Sequence, residues 1–214
     1  MTTLGNLWAF VVVVGLLTMT PGMDTALILR TAAVGAPRRA WGVVIGIQSG
    51  TLTWGVLTSA GVTALLTASH LAYEALRWAG ACYLIWMGLS MLWAARHRRS
   101  NQSIQPIDES PAAGNDFVPG WRRGTLTNLL NPKMGAFYVA FLPQFIPSGA
   151  SAFAFGVLLT CVHILLGTAW SAVLVLLAHR LRTVLQRPAA RRLLDRITGT
   201  VITGFGIRLA ISSH

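Results

Sequence analysis

Long uncharged apolar runs alternate with short polar connections along this chain. No charge falls in Leu4–Thr20, Ala40–Ser69, Trp78–Ala95 or Met134–Ala178. A Pro147-Ser148-Gly149 turn divides the last of these, and only Arg208 interrupts Ile197–Ser213. A helix crosses the hydrocarbon core of a bilayer with about 20 apolar residues. The runs have that length, are rich in Leu, Val and Ala, and lack the short alternation of barrel strands. They predict an all-α integral membrane protein with six crossings, at 4–35, 40–68, 72–95, 122–146, 151–178 and 194–213.

Composition agrees with a bilayer. The 214 residues are 54% apolar and only 11% charged, with mean hydropathy +0.60. A soluble domain carries about 25% charged residues. A soluble enzyme, a disordered tail and a disulfide-stapled secreted domain are thereby excluded.

The formal charge of +11 reads as a topology signal rather than a nucleic-acid surface. Three clusters hold fourteen of the seventeen cations: Arg30, Arg38 and Arg39; then Arg96, Arg98, Arg99, Arg122 and Arg123; then Arg180, Arg182, Arg187, Arg191, Arg192 and Arg196. Cations collect in cytoplasmic loops. The three basic connections are therefore predicted inside and both termini outside. The same arginines can also bind anionic lipid headgroups. Met1–Asn6 has no basic residue and no small-x-small site follows, so the first run is expected to stay as a span. Cys82 and Cys161 lie in separate predicted helices with no C-x-x-C. They mark neither a disulfide framework nor a metal site, and are read as small packing residues; no cofactor is expected.

The chain divides into halves. His97–Asn115 is the one long polar segment, with Asp108 and Glu109, and gives a division into 1–96, a cytoplasmic linker at 97–120, and 121–214. Thr20-Pro21-Gly22-Met23 in the first half matches Asn131-Pro132-Lys133-Met134 in the second. Leu76-Arg77-x-x-Gly80 with Trp86 matches Asp195-Arg196-x-x-Gly199 with Phe205. Three crossings per half mean that the second half is inserted upside down. Inverted repeats are a common construction of secondary transporters, with the substrate near the midplane between the halves.

Pro lacks an N–H and clashes with the preceding turn, yet suits the first position of a helix behind a Thr or Asn cap. Helices 1 and 4 are therefore predicted to break at Pro21 and Pro132, with Thr20 and Asn131 as caps. Pro37 and Pro147 lie 16 and 15 residues further on. At 1.5 Å per residue each downstream half-helix would be about 23 Å long. Broken backbone at that depth must be buried in protein or line a wet cavity. Half-helix N-termini offer N–H groups and positive dipole ends, a socket for a carboxylate. The bland alternative is a pair of kinks that only shape the bundle.

Asp24 and Lys133 stand beside the breaks, where an ionisable residue is expensive and is paired or faces a cavity. Asp24 falls in a first helical turn, where the dipole favours it. Lys133 falls where the dipole disfavours a cation, so it needs an anionic neighbour: Asp24, or a substrate carboxylate. Asp24 is expected to bind a substrate ammonium or a coupling proton, and Lys133 with Asn131 and Asn128 to hold a carboxylate. Alternatively Asp24 and Lys133 form a structural pair pinning the halves together. His163 could relay protons, or be a hydrogen-bonded core histidine. Gln48 could face the cavity or simply bond across helices. Arg30 can snorkel to the cytoplasmic face. Glu74 and Arg77 are read as interfacial, as are Trp8, Trp41, Trp93, Trp121 and Tyr73. Gly42, Gly46, Gly50 and Gly80 suit close helix packing.

Met19-Thr20-Pro21-Gly22-Met23-Asp24-Thr25-Ala26-Leu27-Ile28-Leu29-Arg30 resembles the T-P-G-P-D-x-x-x-V-x-R signature of the LysE/RhtB amino-acid exporters. Asn128-Leu129-Leu130-Asn131-Pro132-Lys133 and Phe141-Leu142-Pro143-Gln144-Phe145 resemble that family's N-x-x-N-P-K and F-x-P-Q-F. The resemblance covers essentially the whole chain and departs at Met23, where the family often has a second proline. It implies a bacterial inner-membrane exporter driven by proton antiport, with no enzymatic activity. Asp24 looks more like the RhtB-type branch, which exports neutral amino acids such as homoserine, threonine or leucine.

The expected site is then Thr20, Pro21, Gly22, Asp24, Asn128, Asn131, Pro132 and Lys133, with Asp24 and His163 as proton-coupling candidates. Amino acid, protons and lipid are the expected partners, and a homodimer is compatible. Two other readings stay open. A membrane thiol–disulfide electron carrier would need cysteines beside the prolines, where Thr20 and Asn131 stand. A non-transporting membrane subunit would leave the two charges at the breaks without a role.

Overall fold

A computed structural model describes residues 3–33, 36–97, 115–147, 149–178 and 188–211. Arg98, Arg99, Asp108 and Glu109 of the linker, Arg180, Arg182 and Arg187, and both chain ends lie outside the described residues. So do the side chains of Tyr73, Glu74, Arg77, Arg191, Phe205 and Arg208.

The described residues form helices α1 (Thr3–Met19), α2 (Met23–Ala33), α3 (Pro37–Ala68), α4 (His70–His97), α5 (Phe117–Leu129), α6 (Pro132–Ala136), α7 (Ala152–Leu176) and α8 (Pro188–Ile211). The α3 and α7 helices are long and apolar enough to cross a membrane, and α1 with α2 also qualifies as one span bent by 53°. The other helices carry the cations that lower their apolarity, such as Arg122 and Arg123 in α5 and Arg191, Arg192 and Arg196 in α8.

The helix ends follow from side chains. Pro21 cannot donate to the Leu17 carbonyl, and α1 stops at Met19. Pro37 opens α3, and Asn115 Oδ1 accepts from the Arg38 and Arg39 N–H groups at 2.9 and 3.2 Å. The end of the linker therefore caps a helix of the first half. Asn131 caps α6, its side chain accepting from the Lys133 N–H at 3.1 Å with Pro132 just inside the helix. Gly149, in the turn before α7, takes φ 86°, a conformation that favours glycine.

Two sequence expectations change here. Thr20 does not cap α2. That helix begins at Met23, with Gly22 supplying the first carbonyl to the Ala26 N–H. The Thr20 hydroxyl turns back to the Leu16 carbonyl at 2.7 Å. Nor is the segment after Pro132 a uniform α-helix. It widens to π winding at Phe137–Phe141 and tightens to 3-10 at Leu142–Phe145. Pro143 removes the donor that the Val139 carbonyl would use, and the Leu142 N–H reaches back five residues to Phe137.

Packing draws on both halves. An aromatic stack of Phe137, Phe141 and Phe145 meets Phe10 of α1, with the Phe10 and Phe145 rings 5.2 Å apart edge to face. The α3 helix lies along α5 and α7, and α4 along α8. Gly42 and Gly46 lie against the backbone of Phe117 and Trp121, and Gly124 against that of Val43, so the α3 and α5 backbones nearly touch.

Polarity is distributed as in a protein with lipid outside. Thr20, Gln48, Asn128, Asn131 and His163 are buried, whereas Leu57, Leu165 and Leu176 are 64%, 70% and 76% exposed. Cys82 and Cys161 also lie exposed on helix faces. The packing role expected of them is therefore not the one they take.

Candidate functional site

Two helix interruptions come together in the centre of the bundle. The first, at 20–22, separates α1 from α2; the second, at 130–131, separates α5 from α6. Around them lies a cavity. Thr20, Gly22, Asp24, Asn128, Asn131, Lys133 and His163 line it, so seven of the nine expected residues share one space. Pro21 and Pro132 are not among the residues that line it; Pro132 lines a separate groove with Trp54 and Tyr83.

Asp24 sits in the first turn of α2, where the helix dipole suits a carboxylate. Its Oδ2 accepts from Asn128 Nδ2 at 2.9 Å. The Asn131 side chain is a second hydrogen-bonding neighbour of this carboxylate, and Lys133 acts on it through space. Its Oδ1 is buried and has no hydrogen-bond partner. A buried polar atom left unpaired costs about 1–3 kcal/mol, so this atom calls for a donor from the cavity.

The Lys133 ammonium takes an arrangement that sequence reasoning did not supply. It donates to the Leu17 carbonyl at 2.8 Å and the Thr20 carbonyl at 3.2 Å. Its hydrogen bonds therefore go to the carboxyl end of α1, the negative end of that helix, rather than to Asp24. Asp24 acts on it through space, as does Asp195 of α8. Lysine has three N–H donors, so one remains beyond these two carbonyls.

Asn128 also differs in role. Its amide serves Asp24 and packs against Gly50 of α3, where an added Cβ would lie 2.7 Å from its Oδ1. Its amide hydrogen therefore goes to Asp24 rather than toward Lys133.

His163 Nδ1 lies 3.0 Å from the Tyr138 hydroxyl, with the two rings stacked 5.7 Å apart. Both residues are buried. Gln48, Thr51, Gly167, Trp170 and Ser171 also line the cavity. Trp170 Nε1 and Thr18 Oγ1 are buried without partners. Neither was singled out in the sequence, because a lone Trp or Thr on an apolar helix has no distinguishing local pattern. Among the described residues no cluster of His, Cys, Asp and Glu could hold a metal ion.

The cavity thus offers a carboxylate oxygen that lacks a donor, an indole N–H that lacks an acceptor, and an ammonium fixed nearby. That set suits a small molecule carrying both a cationic donor and an anionic acceptor.

Comparison with known proteins points the same way. The chain is 29% identical over 211 residues to a homoserine/homoserine lactone efflux protein of Salmonella typhimurium, covering 97% of each chain. It is 31% identical over 203 residues to a threonine efflux protein of Salmonella typhi, covering 91% of this chain and 92% of that one. With a leucine efflux protein of Enterobacter it shares 27% identity over 207 residues, covering 96% and 95%. No solved structure matches the chain. The family model described as LysE type translocator matches residues 15–213, a stretch that takes in both helix interruptions and every residue of the cavity. The chain therefore belongs to the LysE type translocators, a family of membrane transporters that includes amino-acid efflux proteins.

Proposed function

We propose that this protein exports a small neutral amino acid, of the homoserine, threonine or leucine kind, from the cytoplasm by proton antiport. The observation that carries the reading is the unpartnered Asp24 Oδ1 in a cavity that also holds the Lys133 ammonium. The substrate ammonium meets Asp24, which Asn128 holds in place. The substrate carboxylate meets the remaining Lys133 N–H, the side chain of Asn131 and the indole N–H of Trp170.

Six crossings arranged as two inverted three-helix repeats, with both termini outside, fit this reading. The bent α1–α2 pair and the α5–α6 interruption are its structural support. Each repeat then contributes one interruption to the site, and the domain division is 1–96, 97–120 and 121–214. Alternating access exposes the site to the cytoplasm and then to the outside of a bacterial inner membrane. A proton reaching Asp24 from outside neutralises the carboxylate and releases the ammonium.

Inverted membrane vesicles containing the protein test this directly. An imposed inside-acid gradient should drive uptake of one or more of these amino acids, and a protonophore should abolish it. No gradient-dependent uptake of any neutral amino acid would reject the proposal. Reporter fusions at the termini and at each connection test the topology separately.

A further inference from the structure

The end of α1 is built like a binding site for a small cation. Leu17 lies four residues before Pro21, which has no N–H, so its carbonyl has no helical donor. The Thr20 carbonyl falls after α1 ends and before Gly22 supplies the first acceptor of α2. Two carbonyl oxygens thus lie outside both helical ladders and converge on one point, the Lys133 Nζ. Beside them the Thr20 and Thr198 hydroxyls are paired at 2.6 Å, both buried. Asp24 and Asp195 add negative potential from α2 and α8.

Unwound carbonyls and the carboxyl ends of half-helices are the oxygen donors with which many transporters hold a coupling sodium ion. Here a side chain from the opposite half of the chain occupies that position.

We propose that the Leu17 and Thr20 carbonyls form a monovalent-cation site that Lys133 fills as a tethered ligand. The protein then needs no dissolved cation at this place. Removing the ammonium, while leaving room, converts the cradle into a site for a free small cation. The inference rests on these contacts alone and holds whatever the substrate is.

Lys133→Ala opens the cradle. Lys133→Gln refills it with neutral amide donors and serves as the second variant. Wild type and both variants are purified and melted at equal ionic strength in sodium, methylammonium or N-methylglucamine chloride. Wild type should melt at the same temperature in all three. Lys133→Ala should melt several degrees lower in N-methylglucamine and recover more than half of that loss in sodium or methylammonium, saturating with concentration. Whichever small cation rescues reports the size of the site. Lys133→Gln should not respond. Equal melting of Lys133→Ala in all three salts overturns the inference, and so does aggregation of that variant in all three. An equal response by wild type or by Lys133→Gln overturns it as well. A failure of transport, by contrast, would touch only the functional proposal.

Discussion

Lys133 Nζ stands 2.8 Å from the carbonyl oxygen of Leu17, the acceptor that loses its helical donor because residue 21 is proline. The interruption in one half of the chain is therefore completed by a residue that follows the interruption in the other half. A second contact runs the opposite way. Asn128, which precedes the second interruption, donates to Asp24, which follows the first, at 2.9 Å. The two interruptions are latched by hydrogen bonds that run in both directions, from Lys133 to Leu17 and Thr20 and from Asn128 to Asp24. Any motion that separates them must break both, so the latch belongs among the contacts that change if the halves rock about the cavity.

Lys133→Met keeps the length of the side chain and removes its donors. The Leu17 and Thr20 carbonyls then lose their partner, at a cost of about 1–3 kcal/mol for each buried acceptor left unpaired. The expected result is a lower melting temperature and loss of export. Thermal denaturation in detergent and an efflux assay on the same preparation check it. Wild-type values for both would remove the latch.

Asp24→Asn separates charge from fold. The amide oxygen of the new residue still accepts from Asn128, so the melting temperature should stay close to wild type. The partner that the proposed mechanism gives the substrate ammonium is gone. A hydrogen bond to a charged group contributes about 1.5–3 kcal/mol. The expected loss is therefore roughly tenfold to a hundredfold in apparent affinity, together with loss of the response to the proton gradient. Concentration dependence of efflux measures it, and undiminished export by this variant would reject the site.

Gly50 and Gly61 provide a contrast on one helix. A Cβ at Gly50 would lie 2.7 Å from Asn128 Oδ1, whereas one at Gly61 meets nothing within 4 Å. Gly50→Ala should displace Asn128 from Asp24 and reduce export. Gly61→Ala should leave export intact and raise helix stability by up to about 1 kcal/mol. Similar export by the two variants would show that Asn128 need not hold Asp24.

Cys82 and Cys161 are exposed on separate helices, α4 and α7, and neither lines the cavity. A double Cys→Ala variant should export as wild type does. Loss of activity on that change alone would revive the thiol–disulfide carrier reading.

The two proline motifs show what local sequence could and could not reveal. Asn131-Pro132 reads as a cap followed by a first helical residue, and it adopts that form. Thr20-Pro21 reads the same way and does not. The Thr20 hydroxyl is drawn to Leu16 in the last turn of α1 and to Thr198, which is 178 residues away. A tertiary partner overrides the cap, and no window around residue 20 contains it. Lys133 illustrates the same limit. Its need for negative partners was legible from its place at a helix start. The acceptor deprived of a donor by Pro21 was legible as well, by counting back four residues to Leu17. Their meeting was not, because it joins positions 116 apart. Close packing by Gly42, Gly46 and Gly50 followed from their spacing. The outward placement of both cysteines did not, since an apolar helix in lipid has no polar face to orient it.

Tyr138 and His163 decide between a proton carrier and a packing pair. The hydroxyl and Nδ1 are 3.0 Å apart, and both side chains are buried beside the cavity. Tyr138→Phe leaves the imidazole nitrogen without that partner. If the pair is structural, the variant loses about 1–3 kcal/mol for the unmade buried hydrogen bond. Its melting temperature should then fall by roughly 2–4 °C for each kcal/mol lost, given the chain's size. The pH profile of export should keep its shape, because the proposed mechanism places proton coupling on Asp24. His163→Gln should behave likewise, lowering stability while leaving gradient-driven efflux in place. The opposite pattern, an unchanged melting temperature with a displaced pH profile in Tyr138→Phe, would make His163 the group that carries the proton and Asp24 a binding residue only. Measuring both quantities on each variant separates the two roles.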